Sequence, residues 1–163
     1  MRRDPETVKG NNAVSERADV IRSAQALVDE GRFAKDLAAL VCRPTESQNP
    51  QRVDEMQAYL EELLVPRLVA SGFTCTIHPN PQGNPFLVAR RVEDQGLPTI
   101  LGYGHGDVIL GQEGTWSESG NPFELRQEGD RLYGRGTADN KGQHLINLLA
   151  LECVGGLASI PRG

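Results

Sequence analysis

The stretch Leu101–Leu110, LGYGHGDVIL, places a histidine and a carboxylate two positions apart. In an extended segment such residues project to the same side of the backbone, so His105 and Asp107 are expected to be neighbours. Histidine is a common zinc ligand, and a ligating histidine usually donates its other ring N–H to a carboxylate. Gly104 and Gly106 carry no side chain to screen the imidazole, and glycine allows unusual backbone angles. The stretch therefore suits a metal site, or alternatively a polar surface turn.

A second polar cluster, YGRGTADNKG, runs from Tyr133 to Gly142 and brings Asp139 and Lys141 to the beginning of a predicted helix. A phosphate-binding P-loop needs Gly-Lys-Ser/Thr, but here the glycine follows the lysine. A dinucleotide-binding fingerprint needs GxGxxG, and Asp139 occupies its third glycine position. A carboxylate in a glycine-rich loop suits a cation better than a phosphate. Asp139 is therefore a candidate metal ligand, with an N-cap of the following helix as the alternative.

The two motifs, with Trp116 and the pair Pro122-Phe123 between them, resemble the signature of the dinuclear zinc amidohydrolase and exopeptidase family. This family includes acetylornithine deacetylase, succinyl-diaminopimelate desuccinylase, aminoacylase and carnosinase-like dipeptidases. The resemblance covers about Phe33 to Leu151, and the ending Asp-Asn-Lys-Gly is more similar to the dipeptidase branch than to the deacylases. It implies metal-dependent hydrolysis of a peptide or amide bond by a dipeptidase, carboxypeptidase or N-acyl-amino-acid deacylase.

The resemblance also implies roles for individual residues. His105 corresponds to a zinc ligand, Asp139 to the aspartate that bridges two metals, and Asp107 to the catalytic-site carboxylate that orients His105. Arg135 lies in the loop that shapes the bridging aspartate. The implied cofactor is two zinc ions per complete site, with cobalt or manganese as alternatives; metals ~3.5–4 Å apart can hold a shared hydroxide. The implied partners are a small peptide or N-acyl amino acid substrate and, for the complete enzyme, a second copy in a homodimer.

The 163 residues depart from the family pattern after Asp139. After Asp139 they contain neither the Glu-Glu pair that supplies the family's general base nor the remaining metal ligands. Glu152 and His144 are interpreted as solvated residues of the last helix. We therefore expect residues 17–163 to be the N-terminal portion of a metallopeptidase catalytic domain, without its lid and dimerisation domain or its C-terminal half, and to be inactive alone. The alternative is a non-catalytic remnant that acts in binding or assembly.

Hydrophobic periodicity predicts the helices that position these residues. Residues 1–16 are polar and are expected to be disordered. Apolar residues at helical spacing predict helices over 18–31 and 32–42. A third helix is predicted from about residue 51 to Gly72, kinked or divided at Pro66, after the loop TESQNPQ.

The period then changes to that of strands. FTCTIHP and FLVARRV predict strands, and PTILGYGH predicts a third strand that is buried on both faces and ends at His105. A hairpin around Glu128–Asp130 and a helix from Lys141 follow. This order predicts an α/β fold in which N-terminal helices pack on a mixed β-sheet, as in a truncated zinc-exopeptidase-like catalytic domain. Ligands of such sheets gather at the carboxyl ends of the strands.

Composition restricts the partners and the location. The net charge of −5 argues against a nucleic-acid partner, because nucleic-acid-binding domains usually carry a basic patch. No secretory signal and no membrane-spanning apolar run is recognisable. The three cysteines show no CxxC spacing. We therefore expect a soluble cytoplasmic protein with no nucleic-acid or membrane partner.

Overall fold

The structure, a computed structural model, describes residues 6–81, 83–116 and 120–157, and within these ranges the side chains of residues 17–155. Two helices open the fold, α1 (Glu6–Asp29) and α2 (Arg32–Val41), joined at Gly31 in the left-handed conformation (φ 74°). Of the segment 1–16, which the sequence predicts to be disordered, residues 1–5 lie outside the described residues, and from Glu6 the backbone belongs to α1. The helix thus begins before the predicted position 18, in a stretch without proline.

The third predicted helix is divided into three parts. A 3₁₀ turn (Pro50–Arg52) leads into α3 (Val53–Ala58), a π-helical segment (Tyr59–Leu64) and α4 (Val65–Ala70). Pro66 has no N–H and its ring crowds the carbonyl one turn earlier, so the wider π-helical turn precedes it. Gly72 (φ 83°) ends α4, and the Phe73 N–H donates to the Leu68 carbonyl at 3.0 Å, as in a glycine C-cap.

The last helix, α5 (Lys141–Leu157), completes the core. Helices α1 and α2 pack against it, and α2 also contacts the π-helical segment. Their buried side chains form one cluster that includes Leu37, Leu40, Val41, Met56, Tyr59, Leu60, Leu145 and Leu149. The helix periodicities of the sequence therefore mark the faces that form the core.

The described strands form two separate antiparallel pairs. β1 (Thr74–His78) pairs with β2 (Phe86–Arg90), and β3 (Arg126–Glu128) pairs with β4 (Arg131–Tyr133) as the predicted hairpin. A single isolated parallel bridge joins Glu46 and Val108. Helices and strands together confirm the α/β class; the predicted mixed sheet is represented, over the described residues, by these pairs and this bridge.

The prediction of a third strand buried on both faces, PTILGYGH, is wrong for the described residues. Residues 98–105 have no strand partner there, and Ile100 and Leu101 are 94% and 92% exposed. A strand is buried only when neighbours pair with its edges and layers cover its faces, and among the described residues Ile100, Leu101 and Tyr103 stay exposed. The pairing begins only at Val108.

Within the described residues, no helix combines the length and the apolar character needed to cross a membrane.

Candidate metal site

The segment that carries His105 is held in place by residues 45–47, which belong to the predicted loop TESQNPQ. The Val108 N–H donates to the Thr45 carbonyl at 2.9 Å, and the Ser47 N–H donates to the Val108 carbonyl at 3.1 Å. The Thr45 hydroxyl donates to the Gly106 carbonyl at 2.5 Å. This stretch immediately after α2 therefore acts as the neighbouring strand that the site segment needs.

Glu46, in the middle of this stretch, is a buried carboxylate with several hydrogen-bond donors around it. The Gly111 N–H donates to its Oε1 at 2.6 Å, and the Asn49 side-chain amide donates to its Oε2 at 2.8 Å. Arg52 lies 3.8 Å from the same oxygen. A buried charge is tolerated when it is hydrogen-bonded in this way, so Glu46 fixes the chain on the far side of Val108.

Two glycines flank His105 because helices approach its backbone closely. A Cβ at Gly104 would lie 2.6 Å from the His144 Cβ, and a Cβ at Gly106 would overlap the Tyr59 ring. Neither glycine has a positive φ. The unusual backbone angles that the sequence suggested are therefore not the reason for these glycines; the reason is contact with α5 and the π-helical segment.

The three predicted site residues come together around one imidazole. His105 Nε2 lies 3.0 Å from Asp139 Oδ1, and His105 Nδ1 lies 3.3 Å from Asp107 Oδ1 and 3.2 Å from the Asp107 carbonyl oxygen. All three residues line a cavity of about 290 Å³, together with Arg135 and the backbone of residues 134–138. Asp139 is 83% exposed there, so its carboxylate is accessible from the cavity.

This donor set fits a cation. Both ring nitrogens of His105 face oxygens, Nδ1 those of Asp107 and Nε2 that of Asp139. A cation between Nε2 and the Asp139 carboxylate would take the Nε2 lone pair and leave the proton on Nδ1, facing Asp107. The described residues contain no cluster of three or more His, Cys, Asp or Glu side chains able to hold a metal. His105 and Asp139 are thus two candidate ligands, where a catalytic zinc usually has three from protein.

The alternative role of Asp139, an N-cap of α5, finds no support in the hydrogen bonds. The Asp139 carboxylate contacts His105, and among the described residues no N–H of α5 donates to it. Its neighbour Asn140 instead accepts, with its side-chain oxygen, the His105 N–H at 3.2 Å. Asp139 and Asn140, the two residues before α5, therefore both contact the site segment.

Arg135 also lines the cavity. Its N–H donates to the Pro122 carbonyl at 2.7 Å, its guanidinium donates to the Gly111 carbonyl at 3.2 Å, and the guanidinium carbon lies 5.3 Å from the centre of the Trp116 ring. The Trp116 indole N–H donates to the Gly111 carbonyl at 2.8 Å. The three residues between the motifs, Trp116, Pro122 and Phe123, thus surround Gly111 or lie beside it.

Lys141 is buried. The sequence points to Lys141 only as part of a P-loop motif, which the chain does not match. Its ammonium group donates to the carbonyls of Leu40 (2.9 Å) and Arg43 (2.6 Å) at the end of α2 and lies 5.1 Å from the Tyr59 ring centre. Burial lowers the pKa of Lys141 to about 7. Lys141 therefore ties the beginning of α5 to the carboxyl end of α2, where cations are favoured.

The interpretation as solvated helix surface is wrong for His144, whereas Glu152 is half-buried and ion-paired. His144 is buried, and its Nε2 lies 2.7 Å from the Tyr59 hydroxyl. Burial lowers the pKa of His144 to about 4, and burial raises the pKa of Tyr59 well above its usual range. The Glu152 carboxylate accepts hydrogen bonds from Arg67 and Arg32, both at 2.6 Å. Polar residue types alone do not reveal burial when the partners come from distant helices.

Comparison with known proteins agrees with these motifs. Residues 101–156 match the model of Peptidase family M20/M25/M40. The structure is similar to that of human carnosine dipeptidase 1, with a TM-score of 0.76 and 25% identity over 86% of this chain and 31% of that one. It is also similar to the dipeptidase Dug1p from Saccharomyces cerevisiae, with a TM-score of 0.69 and 24% identity over 86% of this chain and 32% of that one.

This chain therefore spans about a third of the length of the solved structures it matches. The family match covers both motifs of the site, His105 with Asp107 and the loop of Asp139, as the resemblance predicted. Residues 101–156 are therefore similar to Peptidase family M20/M25/M40, and the fold is similar to that of two dipeptidases.

Proposed function

We propose that the protein is a metal-dependent hydrolase of peptide bonds in which His105 and Asp139 are metal ligands. One observation carries the proposal. His105 Nε2 and Asp139 Oδ1 lie 3.0 Å apart in residues that line one cavity, while Asp107 contacts the other ring nitrogen of His105, Nδ1. This is the arrangement in which a histidine ligand has its tautomer fixed by a carboxylate. The family match over the same residues supports it.

Two zinc ions would supply a water-derived nucleophile near neutral pH and polarise the scissile carbonyl. In this proposal Asp107 keeps the Nδ1 proton of His105, which leaves Nε2 as a neutral ligand. Asp139 would hold the metals with its exposed carboxylate. Arg135 lines the same cavity.

The substrate class we propose is a small peptide, and more narrowly a dipeptide, rather than an N-acyl amino acid. The similar human protein is a dipeptidase by name, and the Asp-Asn-Lys-Gly ending of the second motif favours the same branch. A cytoplasmic location and a homodimeric complete enzyme belong to the same proposal.

We further propose that the 163 residues do not hydrolyse peptides by themselves. The carboxylate nearest in sequence after Asp139, Glu152, is paired with Arg67 and Arg32 on the helical side of the molecule, so it is not available as a general base. A positioned base contributes typically ~10²–10⁴-fold to the rate. Two ligands where a zinc site usually has three would also bind metal weakly.

The test is a metal titration of the full-length protein and of the 163-residue polypeptide with a dipeptide and an N-acetyl amino acid. We expect zinc-dependent hydrolysis of the dipeptide by the full-length protein only. His105→Ala and Asp139→Ala should each abolish it and lower the bound zinc, whereas Asp130→Ala, at an exposed position of the β3–β4 turn, should do neither. Full activity of Asp139→Ala would refute the ligand assignment. A full-length protein that binds no zinc would favour the alternative, a non-catalytic binding or assembly role.

A further inference from the structure

A chain of hydrogen-bonded polar side chains reaches the His105 backbone, and none of these side chains lines the cavity. The Tyr59 hydroxyl contacts His144 Nε2 at 2.7 Å, and His144 Nδ1 contacts the Asn140 side-chain oxygen at 3.3 Å. The same oxygen accepts the His105 backbone N–H at 3.2 Å. Three elements, the π-helical segment, α5 and the loop before it, thus meet at the backbone of the proposed ligand.

The hydrogen-bond partners determine the direction of every bond in this chain. The Asn140 amide nitrogen donates to Gln143 Oε1 at 2.7 Å, so the Asn140 oxygen is the atom that faces His105 and His144. Because this oxygen only accepts, His144 Nδ1 must carry the proton. His144 Nε2 is then an acceptor, and the Tyr59 hydroxyl donates to it.

The same two residues also contact the site segment directly. The His144 Cβ packs against Gly104, and the Tyr59 ring packs against Gly106, so closely that a Cβ at either glycine would clash. Tyr59 is fully buried and His144 nearly so, and polar groups at such depth are retained at a cost unless each is hydrogen-bonded. An apolar pair would fill this space without donating to Asn140, so packing alone does not explain these residue types.

We infer that Tyr59 and His144 are positioning residues for His105: through the Asn140 side-chain oxygen they hold the His105 backbone, and with it the imidazole, in the orientation that faces Asp139. This inference rests on the proposed function, because it assigns the orientation a use in metal binding. Neither residue lines the cavity, and both reach the site segment through Asn140 and the flanking glycines.

Two substitutions at position 144 separate positioning from mere packing. The amide of His144→Asn places an N–H near the position of Nδ1 and keeps the donor to Asn140. The amide of His144→Gln reaches towards the position of Nε2, so it keeps the partner of Tyr59 but loses the donor to Asn140. Glu152→Gln is the matched control, because it removes an ion pair of the same helix α5 without touching the chain of hydrogen bonds.

The full-length protein is studied by zinc titration calorimetry and, in the metal-free form, by amide hydrogen exchange of His105. We expect His144→Gln to weaken zinc binding about tenfold, as loss of a partner that orients a ligand does, and to speed exchange at the His105 N–H. His144→Asn should stay close to the wild type in both measurements. Glu152→Gln should lower thermal stability and leave both unchanged.

Equal His105 exchange in His144→Gln and the wild type would overturn the inference, as would equal loss in His144→Asn and His144→Gln. The proposed function fails differently, through a wild-type protein that binds no zinc. In that case the exchange of the His105 N–H still decides whether Tyr59 and His144 hold this backbone.

Discussion

Two glycines of the site segment, Gly106 and Gly102, differ in how closely other residues pack against them. A Cβ at Gly106 would lie 2.8 Å from Tyr59 Cδ1, whereas a Cβ at Gly102 would have no atom within 4 Å. Both glycines belong to the same extended stretch. They therefore differ in surroundings and not in secondary structure, which makes them a matched pair.

We expect Gly106→Ala to destabilise the protein by about 1–3 kcal/mol, the usual cost of overpacking a close contact, and to weaken zinc binding because His105 must shift. Gly102→Ala should change neither quantity, since its added methyl group meets open space. Chemical denaturation and zinc titration measure both effects. Equal behaviour of the two variants would contradict the packing explanation.

His144 makes the stability depend on pH. Its pKa is about 4 in the folded protein, because burial disfavours the charged imidazolium, against an ordinary value of 6.5. Between pH 6.5 and 4 the unfolded chain therefore takes up a proton that the folded protein does not. The contribution of His144 is complete above pH 6.5 and is lost as the pH falls to 4.

At ~1.4 kcal/mol per pKa unit, this loss amounts to about 3 kcal/mol. The measurement is the thermal midpoint of the wild type and of His144→Gln, whose side chain does not titrate, between pH 4 and 8. We expect the difference between their midpoints to be constant above pH 6.5 and to shrink as the pH falls to 4. A difference that does not change with pH would mean that His144 titrates alike in both states.

At the scale of elements, residues 45–47 hydrogen-bond the site segment as a neighbouring strand would. Among the described residues they form one β-bridge with it, between Glu46 and Val108. Thr45 offers its carbonyl to Val108 and its hydroxyl to Gly106, and Glu46 accepts the Gly111 N–H. These bonds join the end of α2 to both sides of the segment that carries Asp107. The position of the site therefore depends on a short stretch that follows a helix.

Thr45→Val keeps the shape of the side chain and removes the hydroxyl donor to the Gly106 carbonyl. We expect a loss of about 1–3 kcal/mol in the free energy of unfolding, the cost of leaving a buried acceptor unsatisfied. Ser47→Ala is the control, because its hydroxyl lies at 3.5 Å from the Val108 carbonyl, at the limit of a hydrogen bond. Its effect should stay within ~0.5 kcal/mol. A similar loss in both variants would argue against a specific role of Thr45.

At the scale of the whole molecule, the segment before His105 leaves apolar side chains uncovered. Ile100, Leu101 and Tyr103 are 94%, 92% and 83% exposed, and the backbone there has no strand partner within the described ranges. An extended apolar segment with unpaired N–H and C=O groups promotes strand pairing between molecules. The 163-residue polypeptide is thus expected to self-associate when it is prepared alone.

We expect the double variant Ile100→Lys/Leu101→Lys of this polypeptide to associate less than the unmodified form, because charge on an exposed edge opposes pairing. Val28→Lys, which changes a 63% exposed side chain on α1, is the control and should leave association unchanged, since the backbone of a helix is already hydrogen-bonded. Sedimentation velocity over a range of concentrations measures this. Monomeric behaviour of the unmodified polypeptide would contradict the prediction.

Local patterns in the sequence predicted where the helices and the β3–β4 hairpin lie and that His105 and Asp107 are neighbours, and the family resemblance added Asp139 to them. Helix periodicity and glycine stops depend on residues that are close together in the sequence. The spacing of residues within each motif is likewise a property of the sequence alone. His105 and Asp107 share a side because they lie two apart, which needs no tertiary information. The resemblance to a zinc exopeptidase rested on the same short segments, and the family match covers them.

Only the tertiary structure showed why the segment of His105 lies where it does. Its partners, Thr45, Tyr59, Asn140 and His144, come from distant parts of the chain, and their residue types also occur on surfaces. The same dependence on distant neighbours explains the wrong prediction for residues 98–105: an apolar run is buried only where other elements cover it. Burial of a polar residue, or exposure of an apolar one, is a property of the packing and not of the residue.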